Sequence, residues 1–418
     1  MIKTQEIDVF NVLLLIAFAL IFARFFGYIF YRFKQPAVLG EIIGGVVLGG
    51  IGLLILHGQE ILVLGHSITI PNLNFESEYL FFIAQIGILF LLFISGLEIS
   101  VSKLKKMGKT SSFVAIGGVF VPFVLGVLSC FLLNILDIFT FTIQESIVIG
   151  LILTATSVGV TVRTLMDLDV LDSDVGATIL GSAVIDDIIA IILLALAMGV
   201  GSLFDTLWLG VRIGIFFLIF LYLGIKIIDK ILDLGEKIHL PKAFLSIALS
   251  ILLIYAFFAD RVGLSGIIGA FVAGVLIGQN VRSVKIEKDV KAIAYGFFVP
   301  IFFVWVGASV WNNTNSISSS ILPIVILTIV LSIVAIIGKI FGCGLGAKIA
   351  GMSNRESLQV GVGMIPRMEL ALIIVTTAFS RHIIEGGIGG EILISTVFLI
   401  IITTLTAPVL IKATFKND

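Results

Sequence analysis

Two adjacent aspartates, Asp186 and Asp187, stand in the middle of an otherwise apolar run, GSAVIDDIIAIILL. Three further stretches carry polar residues of the same unexpected kind. Lys339 lies in AIIGKIFGCGLGAK, Arg367 and Glu369 in GMIPRMELALII, and Thr156 and Ser157 in TATSVGVTVR. An ionisable group in hydrocarbon is costly unless paired, so such residues default to a functional role. Carboxylates and freed backbone carbonyls are the hard oxygen ligands that a monovalent cation needs. Two neighbouring carboxylates in a low dielectric resist being ionised together, which makes one of them a candidate proton carrier. Successive helix positions point about 100° apart, so the pair cannot face one ligand squarely. One carboxylate is then free to meet a cation in a water-filled cavity while the other meets a protein cation, and Lys339 is the obvious partner. An Asp–Lys pair that only fixed helix packing would leave the second aspartate unexplained.

The rest of the chain says what surrounds these groups. Of 418 residues, 59% are AVILMFWYC and only 13% are charged, against about 25% in a soluble domain. With a mean hydropathy of +1.22, too little polar surface remains to coat a water-soluble globule. Cys130 and Cys343 both lie in apolar runs, which supports neither a disulfide framework nor a cysteine metal site. The N-terminus has no basic stretch leading to a small-residue cleavage site, so no removable signal peptide is expected.

A spanning helix takes roughly 20 apolar residues, and thirteen such runs can be counted: 9–33, 37–56, 79–99, 111–136, 146–166, 175–200, 206–228, 243–259, 264–278, 292–310, 321–345, 358–379 and 392–411. Alternating the helix ends puts eighteen lysines and arginines on one side, among them Lys103, Lys105, Lys106, Lys109 and Lys348, and only Lys3, Arg261 and Arg381 on the other. The positive-inside rule makes the basic side cytoplasmic, with the N-terminus outside and the C-terminus inside. The gaps between spans are too short to fold alone.

At ~1.5 Å per residue, Asp186 and Asp187 lie roughly 16 Å deep, near the midplane. Lys339, Arg367, Glu369, Thr156 and Ser157 reach similar depth on three other spans. Spans five and twelve look interrupted, by Thr, Ser and Gly in TATSVGVT and by Gly361, Gly363 and Pro366 in GVGMIPRME. Irregular backbone at that depth is tolerated only inside protein or beside a cavity. If both helices break, opposed dipoles meet at the crossing, and Arg367, Glu369 and the Ser157 hydroxyl are candidates to compensate them. A weak internal echo relates Gly40, Gly45 and Gly49 of span two to Gly269, Gly274 and Gly278 of span nine, and Gly96 of span three to Gly307 of span ten. All three pairings, including five with twelve, are seven spans apart, an odd number, which implies inverted repeats.

The chain resembles the monovalent cation:proton antiporter superfamily, in particular Nap-type Na+/H+ antiporters and the membrane domain of Kef potassium efflux systems. The resemblance runs from about Gln35 to Pro408 and rests on QPAVLGEIIGGVVLG, LLFISGLEIS, LTATSVGVTVRTL, GSAVIDDIIAI, GLSGIIGAFVAGVLIG, PIFFVWVGAS, IIGKIFG and GMIPRMELALI, in that order. It implies an all-α polytopic membrane protein of about thirteen helices, with inverted repeats and two crossed discontinuous helices. Translocation helices are implied at about 79–200 and 320–413, and dimerisation helices at about 9–56 and 206–310. It also implies Asp187 as the residue binding Na+ or a proton, an Asp186–Lys339 salt bridge that couples protons, support from Thr156 and Ser157, and core stabilisation by Arg367 and Glu369. Having both aspartates and the lysine resembles the electrogenic type. Met368 departs from the family, which usually has glycine between the arginine and the glutamate.

The expected activity is therefore Na+(Li+)/H+ antiport in the cell membrane by a homodimer. The partners are monovalent cations, protons and lipid; no resident cofactor and no nucleic acid are expected. The alternatives are a K+/H+ antiporter of Kef type without its regulatory domain, and a cation channel, against which the absence of a carbonyl-filter motif counts.

Overall fold

The computed structural model describes residues 9–33, 35–54, 60–63, 66–69, 78–99, 101–197, 203–237, 242–280, 283–308, 321–380, 383–384 and 386–415. These form α1 (Val9–Arg32), α2 (Ala37–Leu54), α3 (Glu78–Glu98), α4 (Val101–Ile135), α5 (Ile143–Thr154), α6 (Val158–Asp167), α7 (Asp174–Ala197) and α8 (Leu203–Lys237). There follow α9 (Ala243–Arg261), α10 (Gly266–Gly278), α11 (Ser283–Ile293), a π-helical turn (Ala294–Phe298), α12 (Val299–Ala308), α13 (Ile321–Ile349), α14 (Asn354–Gly363), α15 (Glu369–Ser380) and α16 (Gly386–Phe415). Among the described residues, ten stretches are long and apolar enough to cross a bilayer, and the shorter apolar helices Ala37–Gly52, Gly266–Gly278 and Leu370–Phe379 fall on three further expected spans, consistent with thirteen.

The boundaries differ from the apolar runs where polar residues extend a helix. α4 begins ten residues before its apolar run because Lys103 and Lys106, good helix formers, find Asp172 and Asp174 at 2.7 Å each. Between α2 and α3 a short antiparallel hairpin pairs Glu60–Val63 with His66–Thr69.

The chain groups into two compact units: Met1–Ile88 with Ile293–Asn315, and Leu89–Ala292 with Ser316–Asp418. In the first, α2 packs on α12 where Gly45 meets Gly307. A Cβ on Gly45 would lie 2.1 Å from the Val304 carbonyl oxygen, and one on Gly307 would lie 2.0 Å from that of Ile42. In the second, α3 packs on α10 where Gly96 meets Gly274, with the Phe271 and Phe93 carbonyls at 2.3 and 2.2 Å from the corresponding Cβ positions. The two sets correspond residue for residue under the repeat read from the glycines: Gly45 to Gly274, Gly307 to Gly96, Ile42 to Phe271 and Val304 to Phe93. The α1–α2 contact of Gly40 with the Phe26 carbonyl is likewise repeated between α9 and α10 by Gly269 with that of Tyr255. Between helices in lipid there is little hydrophobic drive, so close backbone approach at small residues supplies the packing.

The first half of each interrupted span also starts alike. Thr142 and Glu145 form a capping box at α5, and Ser353 and Glu356 form one at α14, at the separation that relates Gly96 to Gly307. Two otherwise orphaned backbone donors are satisfied at each start, and at the second the Ser353 donors hold the Glu356 carboxyl below its ordinary range.

Gly45→Val and Gly274→Val should each destabilise the protein by about 1–3 kcal/mol or more through overpacking, whereas Gly214→Ala, with nothing within 4 Å of its Cβ position, should be silent. Thermal denaturation in detergent reads the difference.

Candidate functional site

Both interrupted spans are broken. α5 stops at Thr154 and α6 starts at Val158; α14 stops at Gly363 and α15 starts at Glu369. The breaks lie against one another. The Ser157 amide donates to the Pro366 carbonyl at 2.8 Å, and the Thr161 hydroxyl donates to the Gly363 carbonyl at 2.7 Å. Proline and glycine explain the second break, because Pro366 offers no amide and clashes with the preceding turn.

The carbonyls that the breaks release converge on Arg367, which is fully buried. Its guanidinium donates to the carbonyls of Ile365 and Leu153 at 2.7 Å each and to that of Ala335 on α13 at 3.2 Å. Leu153 lies in the last turn of α5 and Ile365 just beyond α14, so one positive charge faces the negative ends of two half-helix dipoles. The Thr404 hydroxyl of α16 donates to the Arg367 carbonyl at 3.1 Å. The Ser157 hydroxyl, expected to help compensate the dipoles, does not: it caps nothing and is buried without a hydrogen-bond partner. A serine hydroxyl carries only a dipole, and here the amide rather than the side chain makes the contact. Glu369 opens α15; its side chain lies outside the described residues.

Asp186 and Asp187 sit mid-way along α7 and meet different surroundings. Asp186 is fully buried and lies 3.2 Å from Lys339 Nζ, which is buried as completely. Lys339 Nζ donates to both carboxylate oxygens, at 3.3 and 3.2 Å. Two charges removed from water are tolerated in such a setting only as a pair. Asp187, partly exposed, lines a cavity of about 10 Å³ with Leu92, Leu180, Ala183, Val158 and Phe271. That is close to the ~10–15 Å³ needed to hold one water. Val158 is the first residue of α6, so the break borders the cavity, and the Thr156 hydroxyl has only a long 3.5 Å contact to the Thr154 carbonyl. A carboxylate in a narrow recess suits a dehydrated monovalent cation or a proton.

Several charges find partners that spacing did not reveal. Arg24 donates to the Tyr295 carbonyl in the π-helical turn, a place where carbonyls leave the helical ladder. Arg163 lies 3.1 Å from Asp167 one turn on, and Glu98 lies 2.5 Å from Lys291. The three-carbonyl clamp of Arg367 was missed, since its acceptors are far apart in the chain. The paired capping boxes were missed too, although T-x-x-E and S-x-x-E ahead of the two broken spans would have revealed them.

A helical bundle whose two broken helices meet beside a carboxylate-lined cavity is the architecture of a secondary transporter. Residues 12–416 match the family model for the sodium/hydrogen exchanger, transmembrane. The chain is 34% identical over 403 residues to the Na(+)/H(+)-K(+) antiporter GerN of Bacillus cereus, covering 96% of this chain and 95% of that protein. It is 34% identical over 386 residues to the Na(+)/H(+) antiporter of Enterococcus hirae, covering 91% and 92%. Its fold matches the sodium proton antiporter MjNhaP1 of Methanocaldococcus jannaschii, with a TM-score of 0.63 at 18% identity, over 98% of this chain and 97% of that one. The chain belongs to the sodium/hydrogen exchanger family, and its class of activity is cation/proton antiport.

Breaking the buried pair from one side leaves a lone charge, at about 3–5 kcal/mol. Lys339→Gln alone should therefore lower thermal stability in detergent more than the double variant Asp186→Asn/Lys339→Gln, in which neither charge remains.

Proposed function

We propose that the protein expels Na+, with Li+ as a further substrate, in exchange for protons, and that Asp187 binds either the cation or a proton. Competition at one carboxylate couples the two fluxes, because each occupant must leave before the other enters. The observation that carries this reading is the division of the aspartate pair: Asp186 is fully buried beside Lys339, while Asp187 lines the cavity at the helix break. Thr156 and Ser157 supply neutral oxygens next to it, and Arg367 and Glu369 stabilise the crossing.

The transport cycle alternates access. Helices at about 79–200 and 320–413 carry the site, and helices at about 9–56 and 206–310 form the fixed, dimerising scaffold. The protein sits in the cell membrane as a homodimer, N-terminus outside and C-terminus in the cytoplasm, in accord with the lysine and arginine bias of its loops. Exchange is electrogenic: when a cation draws on the aspartates, Lys339 releases a second proton, so one net charge moves per cycle. That charge is worth about 2.3 kcal/mol per 100 mV, roughly a fifty-fold gradient, and lets the membrane potential drive extrusion. K+ is the second candidate cation, favoured by the similarity to an antiporter named for both ions.

In proteoliposomes with an imposed pH gradient and an internal pH dye, Na+ or Li+ should dissipate the gradient in wild type and not in Asp187→Asn, and a potassium diffusion potential should change the wild-type rate. Activity in Asp187→Asn would refute the site, and a rate insensitive to potential would refute electrogenic exchange. Cation flow without proton counterflow would replace antiport by a channel.

A further inference from the structure

Thr328, Ser332, Ala335 and Lys339 follow one another along α13 at intervals of four, three and four residues, which places them in one stripe of the helix. All four are buried, Thr328 at 7% exposure and Ser332 at 5%. Hydroxyls on the helices of this protein have a usual acceptor, the carbonyl four residues back: Thr164, Thr178, Ser250, Thr396, Thr403 and Thr406 each donate there. In a helix that carbonyl is always within reach of a serine or threonine. Thr328 and Ser332 do not use it, and neither hydroxyl has a hydrogen-bond partner among the described residues. The Ile324 carbonyl, the usual acceptor for Thr328, takes the Ser395 hydroxyl of α16 instead, at 3.2 Å. Further along the stripe, the Ala335 carbonyl accepts from Arg367, whose Nε is also buried without a partner.

Buried polar atoms keep partners, and water is the partner small enough to reach atoms enclosed by helices. One helical turn separates Thr328 from Ser332, roughly 6 Å along the axis, the span of one water bridging two ordinary hydrogen bonds. Thr328 stands about 10 Å from the start of α13 at Ile321, the end opposite the basic Lys348 and therefore the outer end in the proposed orientation. The stripe is not part of the Asp187 cavity. Leu180, Ala183, Val184 and Asp187 turn one face of α7 to that cavity, while Asp186 meets α13 from another.

We propose that Thr328 and Ser332 line a hydrated track along α13 that carries protons between Lys339 and the outer face, separate from the cation route through the Asp187 cavity. The proposal rests on the reading of Lys339 as the second proton carrier. In the step it adds, a water on the track gives a proton to the free electron pair of the Lys339 amine: an O–H bond of the water breaks, an N–H bond forms, and the water is reprotonated from its neighbour on the outer side. The Ser332 and Thr328 hydroxyls then pass a proton on by accepting one and donating their own. The charged and titratable groups around Lys339 suit this traffic. Asp186 faces it from α7, Arg367 donates to the Ala335 carbonyl one turn away, Cys343 lies on its own helix, and Gly118 approaches from α4.

The test compares the apolar pair Thr328→Val/Ser332→Ala, the hydroxyl-retaining pair Thr328→Ser/Ser332→Thr and a packing control, Thr396→Val, in proteoliposomes of the full chain with Na+ and K+. At saturating cation the apolar pair should turn over about tenfold more slowly, less than the 10²–10⁴-fold loss of a removed proton-transfer group because water remains. Its pH profile should be displaced while the apparent KM for the cation stays at the wild-type value. The hydroxyl-retaining pair and the control should match wild type. The track is overturned if the apolar pair behaves as wild type, if the hydroxyl-retaining pair is equally slow, or if the cation KM moves in step with the rate. Lys339→Gln separates the two levels. If it retains the wild-type charge moved per cation, the role of Lys339 fails and the track with it. If it loses that charge while the apolar pair is unaffected, only the track fails.

Discussion

Interrupting a helix at membrane depth frees backbone carbonyls where no water can reach them, and a spanning fold exists only if every one of them is met from within. In this protein two helices are interrupted side by side, and a single buried guanidinium meets carbonyls of both and of a third helix. Arginine suits the position because it is always charged and presents several donors in a fixed planar fork. The irregular backbone beside Asp187 can therefore persist without unfolding the bundle. The site depends on Arg367 even though Arg367 does not line it.

The second constraint is the pairing of charges in that same low dielectric. Lys339 is fully buried and is held against Asp186 on α7. A helix turned by one residue would put Asp187 there instead and remove the cavity's carboxylate. Close contacts with α4 limit such rotations. On α7, a Cβ on Gly181 would lie 2.6 Å from Ser111 Oγ of α4. Where α4 meets α13, a Cβ on Gly117 would lie 2.2 Å from the Gly342 carbonyl and one on Gly118 would lie 2.5 Å from the Cys343 sulfur. Packing that involves no charge thus holds both helices of the pair against α4.

The repeated contacts give the architecture an economy of parts. Gly45 with Gly307, Gly96 with Gly274, and the two capping boxes are one solution used twice. Two similar halves, each with one broken helix, bring two breaks to one depth, and that is where a carrier needs oxygen ligands accessible in turn from either side.

Much of this was legible in the residues. Thirteen apolar runs, polar groups in the middle of four of them, and Gly and Pro at the two interruptions are local properties, and hydrocarbon penalises exceptions so heavily that each exception carries meaning. The choice of Asp186 as the partner of Lys339 was beyond spacing alone, because helical periodicity separates the two aspartates without saying which neighbour either will meet. The carbonyls gathered by Arg367 come from three distant parts of the chain. The unused hydroxyls of Thr328 and Ser332 look, in sequence, like any others that bond to their own helix. Composition and period fix what each helix must bury, whereas only the packing of helices against one another decides which buried group each polar atom finds, since that depends on rotations and approaches to which no single helix is committed.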